Sequence, residues 1–235
     1  MMRGLFITGT DTGVGKTRVA TGLVRACVRA GLQTVGMKPV ASGGVKTPDG
    51  LRNEDALALQ AAANMPRPYE QVNPYSFEPP IAPHLAAAEA GLIIELPRIL
   101  SAFTPLCVGA DMAVVEGVGG WQVPLSGSFG VPDLARALAL PVILVVGLRL
   151  GCLNHALLSA RAIRDDGLRL AGWVANGIDP QFERREGNLA TLKRAIHAPL
   201  LADITWQPGL SADGFADKLD QRGFLQLLED SGKGR

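Results

Sequence analysis

The chain has 235 residues, of which 47% are apolar and only 5% aromatic, with a formal net charge of +1. That length permits one large α/β domain or two small ones, with a substantial core packed by Val, Leu, Ala and Ile. The near-zero charge gives no electrostatic case for nucleic acid or an acidic membrane, and no apolar run reaches the roughly 18 residues that a membrane-crossing helix needs.

In chain order, short apolar runs alternate with helix-length segments. Leu5–Thr8 reads as the first strand. Gly9-Thr10-Asp11-Thr12-Gly13-Val14-Gly15-Lys16-Thr17 then reads as a phosphate cradle leading into a helix over Lys16–Arg29, ended by Gly31. Its glycines let successive N–H groups point at one anion, and the helix adds its positive end. Lys16 reaches the outer phosphates, and the Thr17 hydroxyl is placed to ligate Mg²⁺. Gly9 and Gly15 enclose five residues, one more than in the common P-loop, so this is a variant with Gly13 as an extra flexible point.

Thr34–Met37 is the second strand, and Lys38 leaves it into Lys38-Pro39-Val40-Ala41-Ser42-Gly43. Pro39 stiffens the exit. A second ammonium near Lys16 suits charge on a transferred phosphoryl group; the alternative is a solvated lysine at a strand end. Helices are expected over Asp55–Ala63 and Ile81–Ala90, with a proline-rich loop, Met65–Pro80, between them. Asp55 stands at a helix start, where a cap or a dipole partner is the common use of an acid. Met112–Val115 is a strand ending at Glu116. A carboxylate at the end of a buried strand is costly without a partner, and a cation supplies one, as the second acid of P-loop proteins does around Mg²⁺. Gly117-Val118-Gly119-Gly120-Trp121 follows and lets the backbone approach a phosphate or a substrate.

Val142–Val146 is a buried strand, followed by a turn into a helix from Asn154 to about Asp165. The exposed N–H groups of that turn, Gly147-Leu148-Arg149-Leu150-Gly151-Cys152-Leu153-Asn154, suit an anion. An ordinary connection capped by Asn154 fits equally well. Leu170–Ala175 is a strand ending at Asn176, whose amide fits either a base edge or a turn. A helix over Glu183–Ile196, a short strand Leu200–Ile204, a closing helix Phe215–Leu228 and a loose tail Ser231–Arg235 complete the pattern.

Alternating strands and helices predict an α/β, single-domain P-loop NTPase-like fold over residues 1–230, a mostly parallel sheet with helices on both faces. Gly9, Lys38, Glu116, Gly147 and Asn176 each follow a strand, so they are expected to converge at one sheet edge. Cys27, Cys107 and Cys152 lack metal-type spacing. An odd, scattered set fits a reducing cytoplasm, as does the early interruption of any signal-peptide pattern by Gly9 and Asp11. Cys27 and Cys107 are expected to be small buried side chains. His84, His155 and His197 form no metal pattern.

The same residues resemble the dethiobiotin synthetase family. The resemblance is carried by Gly9-Thr10-Asp11-Thr12-x-Val14-Gly15-Lys16-Thr17, Lys38-Pro39-Val40-Ala41-Ser42-Gly43, Arg52-Asn53-x-Asp55-Ala56-Leu57 and Asn73-Pro74-Tyr75. Pro83-His84, Val115-Glu116-Gly117-x-Gly119-Gly120-Trp121, Leu150-Gly151-Cys152-x-Asn154-His155-Ala156 and Ala171-Gly172-Trp173-Val174-Ala175-Asn176 continue it, in order, to about residue 206. It implies an enzyme that joins 7,8-diaminononanoate and CO₂ (or bicarbonate) at the expense of MgATP, giving dethiobiotin, ADP and phosphate through a carbamate and a carbamic–phosphoric anhydride. It implies Mg²⁺ on Thr17, Asp55 and Glu116, and cation support from Lys16 and Lys38. Thr12 and Ser42 would donate hydrogen bonds near the reacting centre. Nucleotide contacts would come from Gly13, Val14, Gly15, Gly117, Val118 and Gly119, with Asn176 and Trp206 at the base. It further implies a homodimer in which Gly151, Cys152, Leu153 and Asn154 of the neighbouring subunit hold the substrate carboxylate. Three positions depart from the family pattern: Gly13 for an acid, Asn188 for a tyrosine, and Thr205 for the proline before Trp206.

Two rivals share parts of this pattern. A chromosome-partitioning type of switch ATPase usually carries an extra lysine early in the loop, where Thr10 and Asp11 stand here. A glutamine-dependent synthase of the cobalamin type needs a further glutaminase domain, for which 235 residues leave no room.

Overall fold

The computed structural model describes residues 3–219 and 221–230. Its elements in order are β1 (Arg3–Gly9), α1 (Lys16–Arg29), β2 (Thr34–Met37), β3 (Val40–Ser42), β4 (Val45–Thr47), β5 (Gly50–Arg52), α2 (Glu54–Ala62), α3 (Tyr69–Val72), β6 (Tyr75–Phe77) and α4 (Pro83–Glu89). Then come α5 (Leu96–Leu106), β7 (Met112–Glu116), α6 (Val131–Leu138), β8 (Val142–Leu148), α7 (Cys152–Asp165), β9 (Leu170–Gly177), α8 (Arg185–Ala195), β10 (Leu200–Ile204), α9 (Ala212–Ala216) and α10 (Gln221–Asp230).

Six strands form one parallel sheet in the order β10-β9-β8-β1-β7-β2. Because side chains alternate along a strand, each strand feeds two cores. Leu5 and Ile7 of β1 pack with Val19, Leu23 and Phe215 on one face. Phe6 packs with Val115, Leu144 and Trp173 on the other. Both faces are thus buried, which is why these strands read as continuous apolar runs. Among the described residues, no helix is long and apolar enough to cross a membrane.

Register places the chemistry. Met37 of β2 lies opposite Val115 of β7, so Lys38 and Glu116 leave adjacent strands side by side. Ile7 of β1 lies opposite Glu116, which sets the phosphate loop beside the same carboxylate. The chain runs from β1 out to the edge strand β2 on one side and, after β7 fills the gap, crosses to β8 on the other side, and ligands of such sheets collect beyond the strand ends where the order reverses.

Several expectations need correction. The closing helix is two, α9 and α10, with the expected Ser231–Arg235 tail outside the described residues. The proline-rich loop contains α3 and β6, and β6 pairs in parallel with β3. Helices α5 and α6 lie in stretches to which the residue pattern assigned no element. Each opens with proline in its first turn, where the missing N–H costs nothing, and α5 carries Pro105 in its last turn. Cys107 is only half-buried, whereas Cys27 is buried as expected.

Candidate active site

The cradle forms as its glycines require. Gly15, the residue before α1, has φ of 89°, and a Cβ there would stand 2.3 Å from the Asn176 amide nitrogen. Only glycine allows both the left-handed backbone and that approach. Asn176 is buried; its Nδ2 donates to the Val14 carbonyl at 2.8 Å, while its Oδ1 is buried without a hydrogen-bond partner. Asp11 braces the other flank. Its Oδ1 accepts the Thr12 N–H at 2.7 Å, its carbonyl accepts the Lys16 ammonium at 2.8 Å, and its carboxylate pairs with Arg149.

Beyond the strand ends lies a cavity of about 610 Å³. Thr12, Gly13, Gly15, Lys16, Thr17, Lys38, Ser42, Asp55, Glu116, Val118 and Gly119 line it, together with Pro80–Pro83 and Val123. At its base Thr17 Oγ1 lies 2.7 Å from Asp55 Oδ1 and 2.9 Å from Glu116 Oε1. The Lys38 ammonium donates to Asp55 Oδ2 at 2.8 Å and to Glu116 Oε1 at 2.6 Å. Lys38 and Glu116 are almost wholly buried, at 3% and 1% exposure, while Asp55 faces the cavity.

Burial opposes the Lys38 charge, but the two carboxylates outweigh it and hold the ammonium above the ordinary lysine value. For Asp55 the order reverses. Burial pushes its carboxyl up, and Lys38 and the Thr17 hydroxyl pull it below the usual range. Glu116 is pushed up by burial, with Lys38 opposing and the Asp55 charge adding to the rise. Lys16 falls to about 8, first through burial and then through repulsion from Lys38.

The oxygen set suits a hard divalent cation. Thr17 Oγ1, Asp55 and Glu116 converge, and Glu116 Oε2 is buried with no hydrogen-bond partner. That orphaned oxygen is the local sign that the cluster is built for a further ligand. Ser42 Oγ, on the cavity wall, is likewise without a partner.

The clamp behind these groups was not foreseen. Asn53 caps α2, its Oδ1 accepting the N–H groups of Asp55 at 3.0 Å and Ala56 at 3.3 Å, so Asp55 is released from capping and turned to the cavity. The Asn53 N–H donates to the Tyr69 hydroxyl at 2.7 Å, and that hydroxyl donates to Asn73 Oδ1 at 2.9 Å. Asn73 Nδ2 then donates to the carbonyls of Lys38 at 2.6 Å and Tyr75 at 3.0 Å. One buried relay therefore fixes both Lys38 and Asp55. The Asn73-Pro74-Tyr75 signature was its trace in the sequence. On the far side, the buried Trp121 anchors the glycine loop by donating to Asp166 at 2.7 Å.

Other candidates lie apart from the main cavity. Asn176 and Trp206 line a second hollow of about 290 Å³ on the other flank of Gly15, with Arg18 and Gln207. Gly151, Cys152, Leu153 and Asn154 begin α7, outside the residues that line either hollow, and Leu150 beside them is 90% exposed. Gly117 is held by its N–H to the Ile7 carbonyl at 2.9 Å, leaving Val118 and Gly119 to face the cavity. Asn188 is on α8, its amide donating to Arg184 at 3.0 Å.

A family model described as an AAA domain matches residues 3–213. The chain is 54% identical over 222 residues to the ATP-dependent dethiobiotin synthetase BioD of Pseudomonas aeruginosa (strain UCBPP-PA14), covering 94% of this chain and 97% of that protein. It is 53% identical over 207 residues to the protein of the same name from Xanthomonas euvesicatoria, covering 88% and 92%. Among solved structures it resembles the septum site-determining protein MinD of Pyrococcus horikoshii with Mg-ADP (TM-score 0.51, 18% identity, covering 99% of this chain and 97% of that one). It also resembles the MinC:MinD complex of Aquifex aeolicus (TM-score 0.55, 15% identity, covering 98% and 94%). At those identities the two structures show the fold alone, helices around one parallel sheet.

Proposed function

The chain belongs to the ATP-dependent dethiobiotin synthetase family, and from that premise we propose that it closes the ureido ring of dethiobiotin from 7,8-diaminononanoate, CO₂ and ATP. One amine of the substrate takes up CO₂ as a carbamate. A carbamate oxygen attacks the γ-phosphorus and ADP leaves. The second amine then attacks the carbonyl carbon of the mixed anhydride, and phosphate departs.

The observation that carries this reading is the gathering of Lys16, Lys38, Thr17, Asp55 and Glu116 around one cavity beyond the strand ends. Every step develops or moves negative charge on oxygen, and none needs a side-chain nucleophile. Positioning and electrostatics can therefore supply the catalysis. Lys16 and Lys38 offset charge on phosphoryl and carbamate oxygens, while Thr12 and Ser42 donate to the substrate. Thr17, Asp55 and Glu116 would hold Mg²⁺, which when bound neutralises phosphate charge. The loop of Gly13, Val14, Gly15, Val118 and Gly119 holds the triphosphate, and Asn176 Oδ1 accepts from the base amino group beside Trp206.

The same reading makes the protein a cytoplasmic homodimer with residues 1–230 as one catalytic unit. The helix start Gly151–Asn154 lies off its own subunit's cavity beside the exposed Leu150, with Leu158 also exposed on α7. It then serves the neighbour by binding the substrate carboxylate.

Phosphate release is the direct test. With MgATP and bicarbonate, release should appear only when diaminononanoate is added, with dethiobiotin formed one for one. Release at the same rate without the diamine would overturn the assignment in favour of a switch ATPase.

A further inference from the structure

Lys38 sits where its assigned task does not put it. A lysine that stabilises a transferred phosphoryl group should aim its ammonium at open space. Both hydrogen bonds described for this ammonium instead end on the carboxylates assigned to the metal, at 2.8 Å on Asp55 and 2.6 Å on Glu116. Glu116 Oε1 is shared, lying 2.6 Å from Lys38 Nζ and 2.9 Å from Thr17 Oγ1. Asp55 is shared too, with one oxygen on Thr17 and the other on Lys38.

We propose that Lys38 is the built-in counter-ion of the metal carboxylates, and that a divalent ion entering the Thr17–Asp55–Glu116 cluster evicts its ammonium into the cavity. The proposal rests on the reading of those three residues as metal ligands, and concerns what this chain's own lysine does toward the ion. Mg²⁺ bonds oxygen at about 2.1 Å and demands near-octahedral geometry. The ammonium holds Asp55 Oδ2 and Glu116 Oε1, so an ion that reaches the three residues through Thr17 Oγ1, Asp55 Oδ1 and the orphaned Glu116 Oε2 still settles within a few ångströms of it. A dication and an ammonium within a few ångströms repel strongly, and burial leaves little water to screen them.

Two consequences follow. The buried Glu116 carboxylate and the half-exposed Asp55 never stand unpaired, because one cation or the other always neutralises them. The charge of Lys38 also becomes available to the reacting oxygens only once the metal is in place. Ser42 and Thr12 share the cavity that the lysine would swing into, while the Asn73 and Val72 contacts to its backbone keep the pivot fixed. The metal thereby arms the lysine.

The test is metal binding without nucleotide, with Mn²⁺ followed by electron paramagnetic resonance and Mg²⁺ by calorimetry. Lys38→Met should bind either ion at least about tenfold more tightly than the wild type, because the competing cation is gone. Lys16→Met, whose ammonium bonds the Asp11 carbonyl instead, should tighten binding much less. Glu116→Gln should weaken it, which checks the ligand reading separately. In the unaltered protein, reductive methylation read by mass spectrometry should modify Lys38 faster when Mg²⁺ is added, since the side chain is only 4% exposed in its ion pair. Affinity unchanged in Lys38→Met while Glu116→Gln weakens would sink the eviction and leave the ligand set standing. Equal tightening by Lys16→Met would reduce it to a general charge effect, and methylation slowed by Mg²⁺ would contradict it outright. No weakening in Glu116→Gln would remove the ligand set and the proposal together.

Discussion

Replacing Asn73 by alanine should disable the site from behind, without touching any group that faces the cavity. The side chain is 4% exposed and makes three hydrogen bonds: to the Lys38 carbonyl, to the Tyr75 carbonyl and from the Tyr69 hydroxyl. Each contributes about 1 kcal/mol net, and each buried partner left unpaired adds a desolvation cost, so the loss should come to about 2–4 kcal/mol of stability. Such a domain holds roughly 5–15 kcal/mol in total, so the variant still folds. Its melting temperature should drop by roughly 5–15 °C, taking about 2–4 °C per kcal/mol for a chain of this size. The larger effect should fall on turnover. Freed from its clamp, the β2 exit lets the Lys38 ammonium wander, and a displacement near 1 Å costs on the order of 10²-fold in rate. Urea unfolding gives the first number, and diamine-dependent phosphate release per folded molecule gives the second. Stability within about 0.5 kcal/mol of the wild type would show that the relay carries no load. A destabilised variant with unaltered kcat would show that the relay supports the fold and not the lysine.

Lys16 predicts a pH signature. Its pKa, lowered to about 8 by burial and by Lys38, should rise when phosphates surround it, so nucleotide affinity should hold steady below pH 8 and weaken above it. Calorimetry in buffers of different ionisation heat should find proton uptake on binding that grows as pH passes 8; uptake that does not change across this range would refute the coupling. In the nucleotide-free protein the sign is opposite. Between about 8 and the ordinary lysine value the unfolded chain binds the proton that the folded chain has lost, so stability should rise with pH there. Gly15→Ala should all but abolish nucleotide binding, because the Cβ meets Asn176 at 2.3 Å and φ of 89° is strained for any other residue. Near-normal affinity by calorimetry would show that the loop has room to yield.

What could be read from the sequence was local. The run from Gly9 to Thr17 carries its own geometry, and Lys38, Glu116 and Asn176 announce themselves by following apolar runs at strand ends. Parallel register then makes their convergence unavoidable once β2, β7 and β1 are neighbours. The residue pattern by itself marks Asp55 only as a helix start, and its metal role comes from the family resemblance. Its release depends on Asn53, two residues earlier, taking over the cap. The relay through Tyr69 and Asn73 was out of reach because it joins residues up to 35 apart and depends on the short pairing of β3 with β6. Ile81 and Ala82 were expected inside a helix over Ile81–Ala90, but α4 begins only at Pro83, and Pro80, Ile81 and Ala82 wall the cavity instead. The stretches of α5 and α6 received no element, and each of these helices carries a proline in its first turn.

The central place of β1 has a bearing on how the chain is made. Its cradle is synthesised among the first residues, yet Arg3 must wait for Met112 and Phe6 for Val142 before the strand has neighbours. At typical elongation speeds of about 5–20 residues per second, that wait is on the order of 10 s. Pairings so remote along the chain are also entropically slow to close. During that interval Leu5, Phe6 and Ile7 have no sheet to enter, and ATP has no loop to grip. Nucleotide cannot template the nascent chain. Substitutions that weaken β7 or β8 should therefore first appear as lower recovery of soluble protein, while the molecules that do mature bind nucleotide normally.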